Sequence, residues 1–404
     1  MKTGPISRTA RAAMAGAVAL LLASAVVAVP ASADDLTEID VTGQPLGVAA
    51  GPDGAVYVSD YNWEGGVSVF QPGETRPSRT ISVGHFSTSV AVTTDGTLYV
   101  LQTTEEMQTE LGVVAPGAGE VSSTIPLSRG GRWLAAAPDG SLYVTNPAEG
   151  TVSVVLPGQA RVERVIDAGN YPVEVAVAKD GTLYAANQHA GAVTVIPGGA
   201  ASPSHAITVG RTSGPHGIAA APDGTVYVAN VLSNDVAVIE PGGTAVARRI
   251  RVGREPQEVV AAPDGTVYVT NSGDNSVSVI EAGTDRVART VPTGEDPGRL
   301  AVRADGAVVV VNRAGKSLTV IDAGPAGPAA EALPGEASVT GADGGAVPPA
   351  EAAPSGGASA VPLPAVAAGS AGLLLAGAAA LILVLRRRRT DTAAAPATAW
   401  TLDQ

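Results

Sequence analysis

The chain has 404 residues, 45% of them hydrophobic and 16% charged, with a formal net charge of −13 and no cysteine. The lack of Cys excludes disulfides, thiolate catalysis and Cys-ligated zinc or iron–sulfur centres. The acidic balance excludes nucleic acid as a partner and is what solubility of an exported protein requires.

Residues 1–33 read as a secretory signal. Lys2, Arg8 and Arg11 precede an apolar stretch from Ala12 to Val29, and Ala31-Ser32-Ala33 supplies a small-residue cleavage site. The mature chain then begins at Asp34. With this signal and everything from residue 363 onward set aside, 18 basic and 36 acidic side chains remain, a net charge of −18.

Residues 34–324 are built from seven copies of one unit. Asp-Gly pairs fall at Asp53, Asp95, Asp139, Asp180, Asp223, Asp264 and Asp305, 41 to 44 residues apart, each followed by a short apolar strand. A repeat of that length made only of strands predicts an all-β, seven-bladed β-propeller with four-stranded blades. In the copy from Gly214 to Gly253 the strands are Ile218–Ala221, Thr225–Ala229, Val236–Ile239 and Arg248–Val252. Asp223-Gly224 predicts a type I′ hairpin turn, and Pro222 falls at a strand end. The seventh copy offers only three strands. The stretch Leu36–Gly43 matches the missing fourth, so the N-terminal strand is expected to complete the last blade and close the ring.

Pro325 to Pro362 is rich in Pro, Ala and Gly without apolar periodicity, which predicts a disordered stalk. Residues 363–385 carry no charge and would span about 34 Å as a helix, enough for a bilayer. Arg386–Arg389 follow at once and assign residues 386–404 to the cytoplasmic side. The expected protein is thus a single-pass membrane protein holding its propeller outside the cell. Leu363-Pro364 resembles the start of a sortase sorting signal, but Val366-Ala367 replaces the cleaved Thr-Gly. A retained anchor is the expectation.

Tyr143-Val144-Thr145-Asn146 and Tyr268-Val269-Thr270-Asn271, with Tyr227 to Asn230 one residue away, resemble the YVTN family of propeller repeats found in surface-layer-like exported proteins. The likeness to NHL propellers is looser. The resemblance implies the architecture; function has to come from a site.

The repeat itself points to that site. The sixth position before each Asp-Gly carries Gly47, Ser89, Trp133, Glu174, Gly217, Glu258 and Arg299; the seventh carries Leu46, Thr88, Arg132, Val173, His216, Gln257 and Gly298. These rows lead into the innermost strands, and their chemistry varies while the strands after them stay constant. Arg132, Trp133, Glu174, His216, Glu258 and Arg299 are therefore the candidate ligand-binding residues at the channel mouth. Glu174, His216 and Glu258 from consecutive blades form a set that can hold a divalent cation or work as acid and base. Alternatively, both glutamates pair with Arg132 and Arg299 around a solvated rim. The ring position is similar to that of metal-using lactonases and streptogramin-type lyases, whose pattern implies a second His where this chain has Val260.

The other polar repeats fit local structure: the Asp residues form turns, and Asn146, Asn187, Asn230, Asn271 and Asn312 cap strand ends through backbone bonds. His85, His189 and His205 are read as solvent-facing, and the long polar loop Gln102–Glu110 marks blade 2. So few aromatics speak against a stacked carbohydrate platform. No nucleophile motif or phosphate loop occurs, and no cofactor is assigned. Three functions follow. The leading one is an extracytoplasmic binding or scaffold module for a protein, peptide or cell-envelope ligand. The others are a metal-assisted lactonase or lyase, and a passive surface-layer component.

Overall fold

The computed structural model describes residues 36–128 and 130–322. The signal, stalk, membrane helix and basic tail expected from the sequence lie outside the described residues. Within them, no helix is long and apolar enough to cross a membrane.

Among the described residues, twenty-eight strands form seven antiparallel four-stranded sheets, the blades of a propeller. Six blades consist of four consecutive strands each. The seventh joins Pro297–Val302, Val308–Asn312 and Ser317–Ile321 to the N-terminal strand Leu36–Asp40. Leu36 lies opposite Ile321 and Asp40 opposite Ser317. Ile39 is buried there, and Ser317 Oγ donates to Glu38 Oε1 at 2.8 Å. The expected ring closure is what the fold uses.

Why the strands lack simple alternation follows from how the blades pack. Second strands such as Leu142–Asn146, Val226–Asn230 and Val267–Asn271 are buried at every position, because each sheet is covered on both faces by its neighbours. The core is accordingly divided among the inter-blade seams. Tyr227, Val236 and Val238 of blade 5 pack on Val259, Val267 and Ile280 of blade 6, and equivalent clusters fill the other seams. Outer strands alternate instead: in Arg248–Arg251 only Ile250 is buried.

The Asp-Gly turns differ from expectation. In all seven, the Gly N–H bonds to the carbonyl three residues back, as in Gly224 to Ala221, and only the Gly has positive φ, between +81° and +90°. This is a three-residue loop, a type I turn followed by a left-handed glycine bulge, rather than a type I′ turn. Pro222 is therefore the first central residue of the turn, where its fixed φ fits. Each Asp locks the bend by accepting the N–H two residues on, at 2.8–3.1 Å. The strand-ending asparagines follow expectation in part: Asn146 and Asn187 Nδ2 donate to the Val144 and Ala185 carbonyls, but the other bonds go to side chains. Asn271 Nδ2 donates to Ser276 and Ser278 Oγ, and Asn312 Nδ2 to Ser317 and Thr319. They tie second strand to third through side chains, from buried positions.

In an antiparallel meander the first and third strands run one way and the second and fourth the other. The starts of the innermost strands, the loops from second to third strand and the connections between blades therefore share one face of the ring. The Asp-Gly turns occupy the opposite face. All eight non-glycine residues with positive φ among the described residues lie on the first face: Phe86, Met107, Tyr171, Asn234, Glu255, Asn275, Asp296 and Lys316.

Candidate functional site at the channel mouth

The innermost strands begin with irregular pairing. Register shifts fall between Pro45 and Val48, His85 and Ser89, Pro172 and Glu174, Pro215 and Ile218, Pro256 and Val259, and Pro297 and Leu300. A bulge re-aims side chains that regular pleating would send to opposite faces. It occurs where the repeat stops repeating.

A cavity of about 360 Å³ lies in the channel, and Trp133, Glu174, Glu258 and Arg299 line it. Glu174 is 3% exposed and Glu258 6% exposed. Glu174 Oε1 accepts the Ile218 N–H of the next blade at 3.1 Å, while Oε2 of both glutamates is buried without a hydrogen-bond partner. Desolvation raises both carboxyl groups. It pushes Glu258 to about 8 against the pull of Arg299, and the neighbouring Glu258 adds to the rise at Glu174. Near neutral pH Glu258 is mostly protonated, and the solvated rim of ion pairs expected from the sequence is replaced by a buried carboxyl pair.

Arg299 reaches across the channel. Its guanidinium carbon sits 3.8 Å from the ring centroid of Trp133, which belongs to blade 3 while Arg299 belongs to blade 7. Burial lowers the Arg299 pKa to about 10, which leaves the cation charged at neutral pH. The contact is a cation–π pair across the pore, with the two glutamates as neighbouring charges.

Arg132 and His216 do not line this cavity, but they act on it. Arg132 is exposed and His216 half-buried. His216 Nδ1 lies 2.9 Å from the Gln257 carbonyl, which can only accept, so Nδ1 carries the proton and Nε2 is left as an acceptor. Burial lowers its pKa to about 3, assisted by Arg132 and then by Arg299 and Arg313. The imidazole is neutral at any ordinary pH.

Arg313 was not singled out by the sequence reading. It is held by Asp296 through two bonds of 2.6 and 3.0 Å, and a Cβ on Gly298 would come 2.8 Å from its Cδ. Gly298 thus leaves room for the arginine stem to lie on the innermost strand. The signal was present: Arg313 follows Asn312, where Pro147, Gln188, Val231 and Ser272 follow the equivalent asparagines.

The proposed metal set fares differently. Among the described residues no three His, Asp or Glu groups gather as a cation site. His216 Nδ1 is held by the Gln257 carbonyl and Glu174 Oε1 by the Ile218 N–H, while Glu258, Arg299 and Arg132 all act on Glu174.

The profile of the "Virginiamycin B lyase family" matches residues 34–320, which is the whole propeller. The chain belongs to this family. Among solved structures, the virginiamycin B lyase from Staphylococcus aureus superposes with a TM-score of 0.60 at 14% identity, covering 71% of this chain and 99% of that one. A catalytically inactive form of that lyase with quinupristin gives 0.59 at 15%, covering 71% and 98%. Hydrazine synthase from Kuenenia stuttgartiensis gives 0.62 at 20%, covering 69% and 96%. At these identities the superpositions establish the propeller and nothing of its chemistry. No curated protein matches the chain in sequence. Of the resemblances raised by the sequence, the lyase propellers are the one the family match carries.

Proposed function

We propose that this chain is an extracytoplasmic, membrane-anchored binding module whose channel mouth takes an anionic group, such as a carboxylate of a peptide or envelope component. One observation carries the reading: in a region of net charge −18, the mouth is positive. Arg132, Arg299 and Arg313 supply three cations, Asp296 offsets one, Glu258 is protonated near neutral pH, burial beside Glu258 raises Glu174 in the same direction, and His216 is uncharged. A positive focus inside an acidic molecule selects anions by position and not by bulk attraction. Guanidinium groups suit carboxylates because they donate two parallel bonds.

The test compares peptides with a free C-terminal carboxylate and the same peptides amidated, titrated into the full chain. The free acids should bind, the amides bind at least about tenfold more weakly, and Arg299→Ala remove the difference. Equal binding of both series sinks the reading.

Family membership supports a second reading, a lyase or lactonase using Glu174, His216 and Glu258. A general acid or base works best with a pKa near ambient pH, which His216 lies far below and Glu258, at about 8, comes near. Incubation with quinupristin, with and without Mg²⁺, decides the matter. Turnover that His216→Ala abolishes would replace the binding reading with the enzymatic one.

A further inference from the structure

The aromatic side chains that are too few for a platform in the sequence are gathered in space. Trp63 and Tyr61 sit in the loop after the second strand of blade 1, and His85 and Phe86 open the innermost strand of blade 2. Trp63 stacks on His85 at 4.3 Å and 15°, and Phe86 meets Tyr61 at 5.4 Å and Trp63 edge-on at 5.8 Å. The His85 ring nitrogen bonds the Trp63 carbonyl, which fixes the stack. Phe86 holds φ at +48°, a conformation a bulky residue adopts only when its surroundings enforce it. Trp63 remains 49% exposed and Tyr61 38%. His85 stacks on one ring face of Trp63, and about half of the residue remains open to solvent.

Charge says what fits this surface. Two loops border it, residues 60–66 and residues 104–108, and the second leaves its strand at Thr103, the register partner of His85. They carry Asp60, Glu64, Glu105 and Glu106 and no Lys or Arg. Asp60 is occupied by Gln44 and Asn62, whereas the three glutamates are exposed. Rigid aromatic faces with exposed carboxylates around them are the chemistry that recognises a cation carried on an apolar stem. This patch shares a face with the channel mouth but has the opposite sign.

We propose that the Tyr61–Trp63–His85–Phe86 cluster is a second binding site, over blades 1 and 2, for a Lys- or Arg-bearing segment of a partner protein. The cation lies against the exposed part of Trp63, and Glu64, Glu105 and Glu106 hold it there. The pre-stacked rings lose little side-chain freedom on binding, which favours affinity.

Fluorescence anisotropy of labelled hexa-arginine with the full chain provides the test. Trp63→Ala, which changes no charge at a half-exposed position, should weaken binding about tenfold, and Trp63→Phe should restore most of it. Glu64→Gln, Glu105→Gln and Glu106→Gln together should weaken it several-fold. The matching control on the opposite face, Glu240→Gln with Glu281→Gln and Asp285→Asn, should leave it unchanged. An affinity indifferent to Trp63→Ala, or equally sensitive to the control, shows diffuse attraction to an acidic protein and overturns the proposal. Binding of neutral maltohexaose that Trp63→Ala abolishes would overturn it in favour of sugar stacking.

Discussion

Glu258 and His216 stand in neighbouring blades with pKa values displaced in opposite senses by the same cause, burial. Glu258 is raised to about 8, so the folded state keeps its proton at pH values where the unfolded chain has lost it. Its contribution to stability is complete below the unfolded value of about 4.3 and is lost as pH rises through about 8. His216, lowered to about 3, behaves in reverse: the unfolded chain takes up a proton below about 6.5, so stability is lost as pH falls from there toward 3. Between about pH 4.3 and 6.5 the two slopes oppose; between 6.5 and 8 only the carboxyl slope remains. The expected profile therefore declines from pH 6.5 to 8, and Glu258→Gln should flatten that decline. The upper bound on the decline within that window is on the order of 2 kcal/mol. Glu174 shares the sign of Glu258 and will leave a residual slope in the variant. Guanidinium melts from pH 4 to 9 on both proteins measure this, and parallel curves above pH 6.5 would show that Glu258 is not buried as a neutral acid.

At the scale of elements, the turn at each Asp-Gly pair makes a claim that a substitution can check. Four turns carry Pro at the first central position, Pro52, Pro138, Pro222 and Pro263, and three carry Thr94, Lys179 and Ala304. None of these last three has positive φ. In a type I turn with a glycine bulge, proline there pre-sets the backbone, so Ala304→Pro and Lys179→Pro should each stabilise by about 0.4–1 kcal/mol. In a type I′ turn, with Asp and Gly as its two central residues, the same position is the last strand residue, whose N–H bonds across the hairpin; proline would remove that bond and both variants would be destabilised, so thermal melts separate the outcomes. This also shows what the sequence could and could not tell. Blade number, strand count and ring closure were legible because the repeat states them seven times. The turn type was not, since Asp-Gly serves two loop lengths and the difference lies in the residue before it. The candidate positions were legible as interruptions of the repeat, but the Arg299–Trp133 contact was not, because only the closed ring brings blades 7 and 3 together. The partnership of Arg313 with Asp296 escaped for the same kind of reason: neither lies in the two rows that were compared. The cluster of Tyr61, Trp63, His85 and Phe86 likewise depends on two segments meeting across a seam.

For the whole molecule, stability is spread around a ring in which each blade packs only on its neighbours, so no single core governs it. What makes the ring one cooperative object is that the chain crosses every seam. At six seams the crossing is the connection from an outer strand to the next innermost strand. At the seam between blades 7 and 1 it is the stretch 41–44, which links the N-terminal strand, seated in blade 7, to Pro45 at the start of blade 1. A circular permutant isolates that crossing. Because Leu36 lies opposite Ile321, a short hairpin turn can join them, with the new N-terminus at Gln44. Every sheet keeps its four strands and every seam its side chains, including Ile39, Val56, Val58, Phe70, Val309, Val311 and Leu318 at the seam in question. Equilibrium stability should therefore change little. The seam can now part without drawing a strand from a sheet, however, so the barrier to opening falls and the unfolding rate should rise on the order of tenfold or more. Unfolding kinetics in guanidinium measure this directly. An unchanged rate would mean that side-chain packing alone holds the seam, and that seating the first strand in the last blade serves to cover the edge Ser317–Ile321 and not to lock the ring.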